Sequence, residues 1–516
     1  MDLRRRALYG TAILSLCAGS AFGEIVLVET PGVEFQHRNG ARGDRWLPET
    51  MGAGVAILDA NEDGHLDLAF ADGRLWEDDG NDSSVQLFLG DGDFGFRRAS
   101  GRGLPQGIYG MGVVCADFDG DGHADLATTA LEGVFISYGL GDANFEEPRK
   151  LIDGWCSSIS VADFDSDGQL DLFVGRYVQW SAEQDIWCTL DGALKSYCTP
   201  ELYEASSCVL LMGTGDRRFS DRSRAMRVDL PAKTLGSVAL DVDADGDVDI
   251  LVANDTMPDF FLRNEGDHFD EVGIEMGMAL STTGMSRAGM GIDALFLEEF
   301  ELPAFVVAHF SGEATGLFVQ HGESGFFDEA NRRGVGAATR PLLSFGLLSV
   351  DLDLDGQLDL VSANGHIESE IARWRPGHSF RQPLSVLRND GGNFVPAELS
   401  IALPQLIGRG LASADLDGDG DADLVVCQNG DTPLILRNDS TWQRVLIVEA
   451  AAAASVEVVL ESGRTLRRAR VVGNSYLSSS ESALRFGLLA TDRPHSVLVN
   501  GEQLEPASWA VQEMTQ

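Results

Sequence analysis

A stretch near the end of the chain, Asp415-Leu-Asp417-Gly-Asp419-Gly-Asp421-Ala-Asp423, places five carboxylates in nine residues, with Leu424, Val425 and Val426 behind them. So many like charges repel unless a cation sits among them. The alternation lets Asp415, Asp417 and Asp419 converge on one point, while Gly420 allows the sharp turn this requires. Hard oxygens so arranged form the cage that calcium takes, about 6–8 ligands at roughly 2.3–2.6 Å.

The same nine-residue device recurs along the chain. It begins with Asp59, Asn61, Asp63, His65 and Asp67 at alternating positions, then Asp117, Asp119, Asp121, His123 and Asp125. It returns as Asp163, Asp165, Asp167, Gln169 and Asp171, and as Asp241, Asp243, Asp245, Asp247 and Asp249. A further copy holds Asp351, Asp353, Asp355, Gln357 and Asp359, and the opening stretch is the last. Glycine stands at the sixth position of every copy, as Gly64, Gly122, Gly168, Gly246, Gly356 and Gly420. An EF-hand has this opening but needs a bidentate Glu at position twelve and flanking helices. That position holds Phe70, Thr128, Val174, Val252, Ser362 and Val426, so the EF-hand reading fails. The ninth position, always Asp, supplies the later carboxylate, and the seventh contributes its backbone carbonyl. About six Ca²⁺ sites are therefore expected.

Each loop lies between short apolar runs, such as Gly54–Leu58 before the first and Leu68–Phe70 after it. Runs of this length bounded by turns read as two strands of a hairpin. A third run and a phenylalanine-led fourth follow, as in Phe261-Leu262-Arg263 with Phe269-Asp270-Glu271. Four strands per unit is the content of a propeller blade. The interval from 241 to 351 holds a further unit, with Gly289–Asp293, Phe305–Ala308 and Phe326–Asp328 as its strands. Its loop reads Ala294-Leu295-Phe296-Leu297, has lost the ligands, and is expected to carry no metal. The fold class is thus all-β: a seven-bladed β-propeller with calcium-binding hairpin loops, followed by a small β-rich C-terminal domain. The last unit lacks an outer segment, while Glu24–Val28 and Pro31–Phe35 resemble one, so the N-terminal strand is expected to close the ring.

The chain of 516 residues carries 81 acidic against 38 basic side chains, a net charge of −43. That field argues against nucleic acid and anionic membranes as partners and for cations or basic surfaces. Arg4, Arg5 and Arg6, an apolar run from Ala7 to Cys17 and small residues at Ala21-Phe22-Gly23 read as a signal peptide over residues 1–23. The alternative is a lipoprotein signal at Cys17, for which Leu16 is a poor preceding residue. No other run is long enough to span a bilayer. The propeller then occupies residues 24–440, with an insertion at about 176–208 that carries cysteines, and the tail domain residues 441–516. Cys188–Cys198 is the first choice of disulfide, with Cys156 and Cys208 a weaker second pair; Cys115 and Cys427 read as core residues. Arg42-Gly43-Asp44 matches an integrin-binding tripeptide, a pattern too short to carry weight. No transition-metal cluster, phosphate loop or nucleophile elbow occurs.

The Asp-x-Asp-x-Asp-Gly-x-x-Asp-Leu repeat resembles the FG-GAP/VCBS repeat. In the tail, Ser462-Gly463-Arg464, Arg470–Ser480 and Arg485-Phe486-Gly487-Leu488 resemble the ASPIC/UnbV domain. The combination, with Cys188 to Pro200 and Asn364-Gly365-His366-Ile367, is similar to the cartilage acidic protein-like family. Leu489, where that family continues with Gly, and a shortened stretch around Ala450–Ala454 depart from the pattern. The resemblance implies an exported calcium-binding adhesion or interaction module with no defined reaction, secreted, periplasmic or at the cell surface. Its expected partners are calcium and an extracellular protein or glycan. The rival reading is a secreted carbohydrate-active enzyme using the propeller face or channel; a structural envelope component is a third.

Overall fold

The computed structural model describes residues 24–77, 84–505 and 509–513. The signal-peptide reading, with Cys17, lies outside the described residues. The apolar runs flanking each acidic loop become paired antiparallel strands. Among the described residues before the tail there are seven four-stranded sheets, six holding an acidic loop and one its degenerate counterpart, and six of the seven are simple meanders. The first is built from Val55–Leu58, Asp67–Ala71, Val85–Gly90 and Phe96–Arg98, and the second begins with Gly110–Ala116 and Asp125–Ala130. The third to sixth begin with Cys156–Ala162, Thr234–Leu240, Gly289–Leu295 and Ser344–Val350. The seventh runs Gly408–Ala414, Asp423–Gln428 and Leu434–Asn438, and its fourth strand is Leu27–Glu29 from the other end of the chain. In that pairing Val28 opposes Arg437.

The first strand of each sheet packs on the first strand of the next, and that of the seventh packs on that of the first. The arrangement is cyclic and propeller-like. Because both faces of a sheet meet a neighbour, the inner strands are continuously apolar and buried instead of alternating; Val55–Leu58 and Asp249–Asn254 are buried throughout. The axis is crowded, which explains the glycines there. A Cβ on Gly291 would lie 2.2 Å from the Phe345 carbonyl, and one on Gly346 2.4 Å from that of Arg409. Phe35, just beyond the N-terminal strand, stacks on Phe70 of the first sheet with ring centroids 5.1 Å apart. Burial of such a ring stabilises the closure by about 2 kcal/mol.

Not every outer strand is phenylalanine-led: in the second sheet it is Arg149–Asp153, with Phe145 buried just before it. Residues between Arg176 and Val209 leave the third sheet as the expected insertion, closed by a Cys188–Cys198 disulfide. The second pairing is corrected. Cys156 and Cys208 are both free and buried, and burial pushes their thiols up to about 12 and 11. They serve as core residues, like Cys427.

The tail forms two further sheets. Arg444–Glu449 pairs with Ala483–Leu488 and Ala510–Glu513, and Ser455–Leu460 pairs with Thr465–Ala469 and Pro494–Val499. Leu446, Val456, Val458, Phe486 and Val497 make their shared core. Among the described residues no helix is long and apolar enough to cross a membrane.

Candidate metal centres on one rim

All six acidic loops join the first strand of a sheet to its second, so they share one rim of the ring. Their backbone geometry repeats. The first-position carboxylate accepts the N–H of the sixth-position glycine in each: Asp59 from Gly64 at 2.9 Å, Asp241 from Gly246 at 3.1 Å, Asp415 from Gly420 at 3.0 Å. The same contact holds Asp117 to Gly122, Asp163 to Gly168 and Asp351 to Gly356. These glycines have φ between 86° and 106°, the left-handed region where a side chain is strained. The fifth-position carboxylate accepts the N–H of the seventh residue, as Asp121 does from His123 and Asp167 from Gln169. Asp63, Asp245, Asp355 and Asp419 do the same for His65, Asp247, Gln357 and Asp421.

The ninth-position aspartate has a second task that the sequence did not reveal. Asp249 accepts the N–H of Val242 at 3.0 Å from inside its loop and that of Asn264 at 2.8 Å from the third strand. Asp67, Asp125, Asp171, Asp359 and Asp423 are bonded in the same double way. Each pins its hairpin to the sheet whether or not an ion is bound.

The remaining oxygens converge. Asp117, Asp119 and Asp125 bring ligand atoms within 4.8 Å of one another, as do Asp163, Asp165 and Asp171, and Asp241, Asp243 and Asp249. Asp415, Asp417 and Asp423 form a fourth such group, and Asp351, Asp353 and Asp355 a fifth with a different third member. One cation with bonds of roughly 2.3–2.6 Å can bridge that spacing. The first loop forms no group of three carboxylates because Asn61 holds its third position. Several loop oxygens are buried without a hydrogen-bond partner: Asp243 Oδ1, both of Asp353 and Asp415 Oδ1 within these groups, and both of Asp421 outside them. Burial and mutual repulsion push the carboxyls up: Asp125 and Asp171 to about 7, Asp249 and Asp423 to about 8, Asp421 to about 10. Carboxyls so held are costly to ionise without a cation among them, which suits them to hold one. At the seventh position, His65, His123, Gln169 and Asp247 keep their side chains at the surface or half-buried, and the His123 ring pairs with Glu62 of the preceding loop. Arg217, on the outer hairpin of the third sheet, reaches Asp119 and lies 3.0 Å from Asp121.

The fifth sheet, which lacks the acidic loop, uses its aspartate differently. Asp293 accepts the Ser349 N–H at 2.8 Å and the Asn474 side-chain amide at 2.9 Å. Asn474 belongs to a tail segment, residues 471–481, that enters the central channel. Ser475 exchanges two 2.9 Å backbone bonds with Ile292, and the Leu477 carbonyl accepts from Val113 at 3.2 Å. Ser479 bonds Val55 and Ile57, and the Val472 carbonyl accepts from Val161. Side chains of Ser475 and Ser480 take the N–H groups of Leu347 and Ser413. The plug thereby satisfies inner-edge backbone groups of the first, second, third, fifth, sixth and seventh sheets, which would otherwise face the channel unpaired. Tyr476, fully buried, sits deepest, its hydroxyl donating to the Met51 carbonyl at 3.2 Å and its ring 5.0 Å from Phe345. The tail also touches two loops directly: Arg468 lies 3.1 Å from Asp351 and Arg485 3.3 Å from Asp415.

On the opposite rim, Arg42, Asp44, Trp46, Trp187, Leu194 and Trp374 line a cleft of about 730 Å³ between the N-terminal segment, the insertion and the 366–374 loop. Trp187 is 67% exposed and Leu194 63%. Arg42 and Asp44 form an ion pair with each other at 2.6 Å, which occupies the two charges of the integrin-type tripeptide.

The chain matches the FG-GAP-like repeat model over residues 59–128 and 351–426, so it carries FG-GAP-like repeats in those two stretches. No match is found among curated proteins. Among solved structures, an Agrocybe aegerita lectin described as recognising non-reducing terminal N-acetylglucosamine is similar at 17% identity. That match covers 73% of this chain and 89% of the lectin, with a TM-score of 0.40. BBS1N, in complex with ARL6DN, is 12% identical over 80% of this chain and 96% of its own, with a TM-score of 0.43. Rhamnogalacturonan lyase YesW is 12% identical over 75% and 71%, with a TM-score of 0.38.

Proposed function

We propose that this chain is a calcium-loaded, seven-bladed FG-GAP propeller with an ASPIC/UnbV-type tail, working as an exported adhesion or interaction module. The observation that carries the metal is the set of five converging carboxylate groups, three of which hold buried oxygens with no hydrogen-bond partner, on Asp243, Asp353 and Asp415. Calcium's charge at each loop supplies the neutralisation these groups lack, and the loops in turn hold the blade hairpins in shape. About six ions are proposed, the site at Asp59, Asn61, Asp63 and Asp67 using an amide oxygen in place of one carboxylate.

The partner face is the rim away from these loops. The tail covers parts of the metal rim and fills the channel, whereas the insertion raises exposed aromatic and apolar side chains around an open cleft. Exposed apolar patches of this kind mark interaction sites, and a disulfide-closed loop on a rigid scaffold loses little entropy on binding. A protein or glycan is the proposed ligand. Affinity capture by the mature chain should recover a saturable partner in calcium and lose it in chelator, and a variant lacking residues 186–198 should lose it in both. Retention of every partner by that variant would remove the cleft from the proposal. A carbohydrate panel should give binding without turnover; turnover would favour the enzyme reading instead.

A further inference from the structure

A second cavity, of about 190 Å³, opens where the channel meets the rim opposite the acidic loops. Its walls are Leu47, Met51, Leu235, Met290, Phe310 and Phe345. Met51 and Phe345 touch Tyr476 of the plug, so the tail supports the inner end of the pocket. Into this apolar surround comes Asp255, 6% exposed, at the end of the second strand of the fourth sheet. One of its oxygens accepts the Tyr177 hydroxyl at 2.6 Å. Its other oxygen takes no hydrogen bond from the described residues, and Asp255 joins no ion pair among them. Glu313 lines the same pocket, accepts the Ala288 N–H at 2.9 Å and is likewise outside every ion pair described.

A buried carboxylate is ordinarily paired. Lys233 acts on Asp255 through its charge but forms no ion pair with it among the described residues. Lys233 donates to the Pro200 carbonyl at 2.7 Å, and Arg287 pairs with Asp328 at 3.1 Å. Arg409 stacks on Phe345 and donates to the carbonyls of Thr50, Gly365 and Gly408. Burial pushes the Asp255 carboxyl up to about 7, a cost that a bound cation would relieve. Glu201 also lines the pocket, but among the described residues it does not close with Asp255 and Glu313 to the spacing of the acidic loops, and the inner walls are mostly hydrocarbon where a hydrated metal ion needs oxygen.

We infer that this pocket binds an organic cation, a primary ammonium carried on an unbranched apolar stem, with Asp255 as the anionic anchor and Glu313 as a second carboxylate at the mouth. Tyr177 orients Asp255, and the Met and Leu walls take the stem. The same chemistry is offered by a free alkylamine and by a lysine side chain of a polypeptide, and the chain's net charge of −43 draws either toward it.

The test is calorimetric titration of the full calcium-loaded protein with n-pentylammonium, with its neutral counterpart 1-pentanol, and with a capped Gly-Gly-Lys-Gly-Gly peptide. The ammonium should bind with Kd of about 1 mM and at least about tenfold more tightly than the alcohol. Asp255→Asn, which keeps the shape and the Tyr177 contact, should abolish that preference while its melting temperature is unchanged or raised, since a buried charge is removed. Binding by the free amine would assign a small-molecule ligand. Binding by the peptide alone would assign a polypeptide lysine. Equal binding of ammonium and alcohol, an unaltered ammonium affinity in Asp255→Asn, or no binding by either cationic probe would overturn the inference.

Discussion

Arg468 of the tail donates to Asp351 of an acidic loop across 117 residues of sequence, with Nη2 3.1 Å from Oδ2. The same oxygen accepts the N–H groups of Gly356 at 3.0 Å and Gly487 at 3.2 Å. Both partners of the pair are almost fully buried. The tail is therefore built into the charge balance of an acidic loop, and tail docking uses a carboxylate that the proposed ion site would also use. Removal of one member of a buried pair costs about 3–5 kcal/mol because the other is left uncompensated. Arg468→Met should lose about 3 kcal/mol in chelator and clearly less in calcium, where the ion neutralises Asp351. Urea denaturation in the two buffers measures this; equal losses would mean that the loop and the tail are energetically independent.

Plug insertion depends on glycines in the ring as much as on the plug. A Cβ on Gly54 would lie 1.6 Å from the Leu477 carbonyl, and one on Gly473 1.7 Å from that of Ile159. Gly54→Ala should therefore unseat a segment that follows it by more than four hundred residues. The expected loss is about 3 kcal/mol, together with new proteolytic cleavage between the strands Thr465–Ala469 and Ala483–Leu488. Wild-type resistance to cleavage in this variant would show that the plug does not depend on the close approach.

Much of this architecture was legible because the acidic loops punctuate the chain. They mark the hairpins, and the flanking apolar runs give the strands without further information. The fifth sheet was found by its spacing, and Leu27–Glu29 by the missing outer strand after Leu436. Pairing across distant sequence was not legible. Residues 471–481 have no strand periodicity, since their partners are the edges of six different sheets, and Arg468 shows its role only when Asp351 is beside it. Nor does a one-letter pattern say that the ninth aspartate pins its hairpin to the third strand, or that Asp255, an ordinary residue after a strand, ends in an apolar pocket. The second disulfide was misread because burial alone accounts for Cys156 and Cys208.

The double role of the ninth position separates from the ligand role by experiment. Asp249 accepts two backbone N–H groups, whereas Asp243 has an orphaned oxygen aimed into the loop. In chelator, Asp249→Ala should cost about 3 kcal/mol, because two buried backbone N–H groups lose their acceptor, while Asp243→Ala should be neutral or slightly stabilising. In calcium both should lose stability. Equal effects of the two substitutions in chelator would show that the ninth position is a ligand and nothing more.

Acid and calcium should neutralise the same loop carboxyls and compete for them. Without metal, the carboxyls of Asp125 and Asp171 are raised to about 7 and those of Asp249 and Asp423 to about 8, from an ordinary value of 3.8. A raised carboxyl means that the folded state binds protons the unfolded state has already released. Stability in chelator therefore falls as pH rises through 6.5 to 8, by more than about 1.4 kcal/mol per pH unit once two or more groups titrate together. Below pH 6.5 the buried neutral imidazoles of His37, held down at about 3, and His309 work the other way, because the unfolded state gains their protons first. With calcium bound the carboxylates stay ionised, and protons must compete with the ion, so stability holds across the same window and is lost only on acidification. The calcium-dependent increase in melting temperature should thus be larger at pH 8 than at pH 6.5. Parallel profiles with and without chelator would mean that the converging carboxylates are not ion sites, and that hydrogen bonds alone sustain the rim.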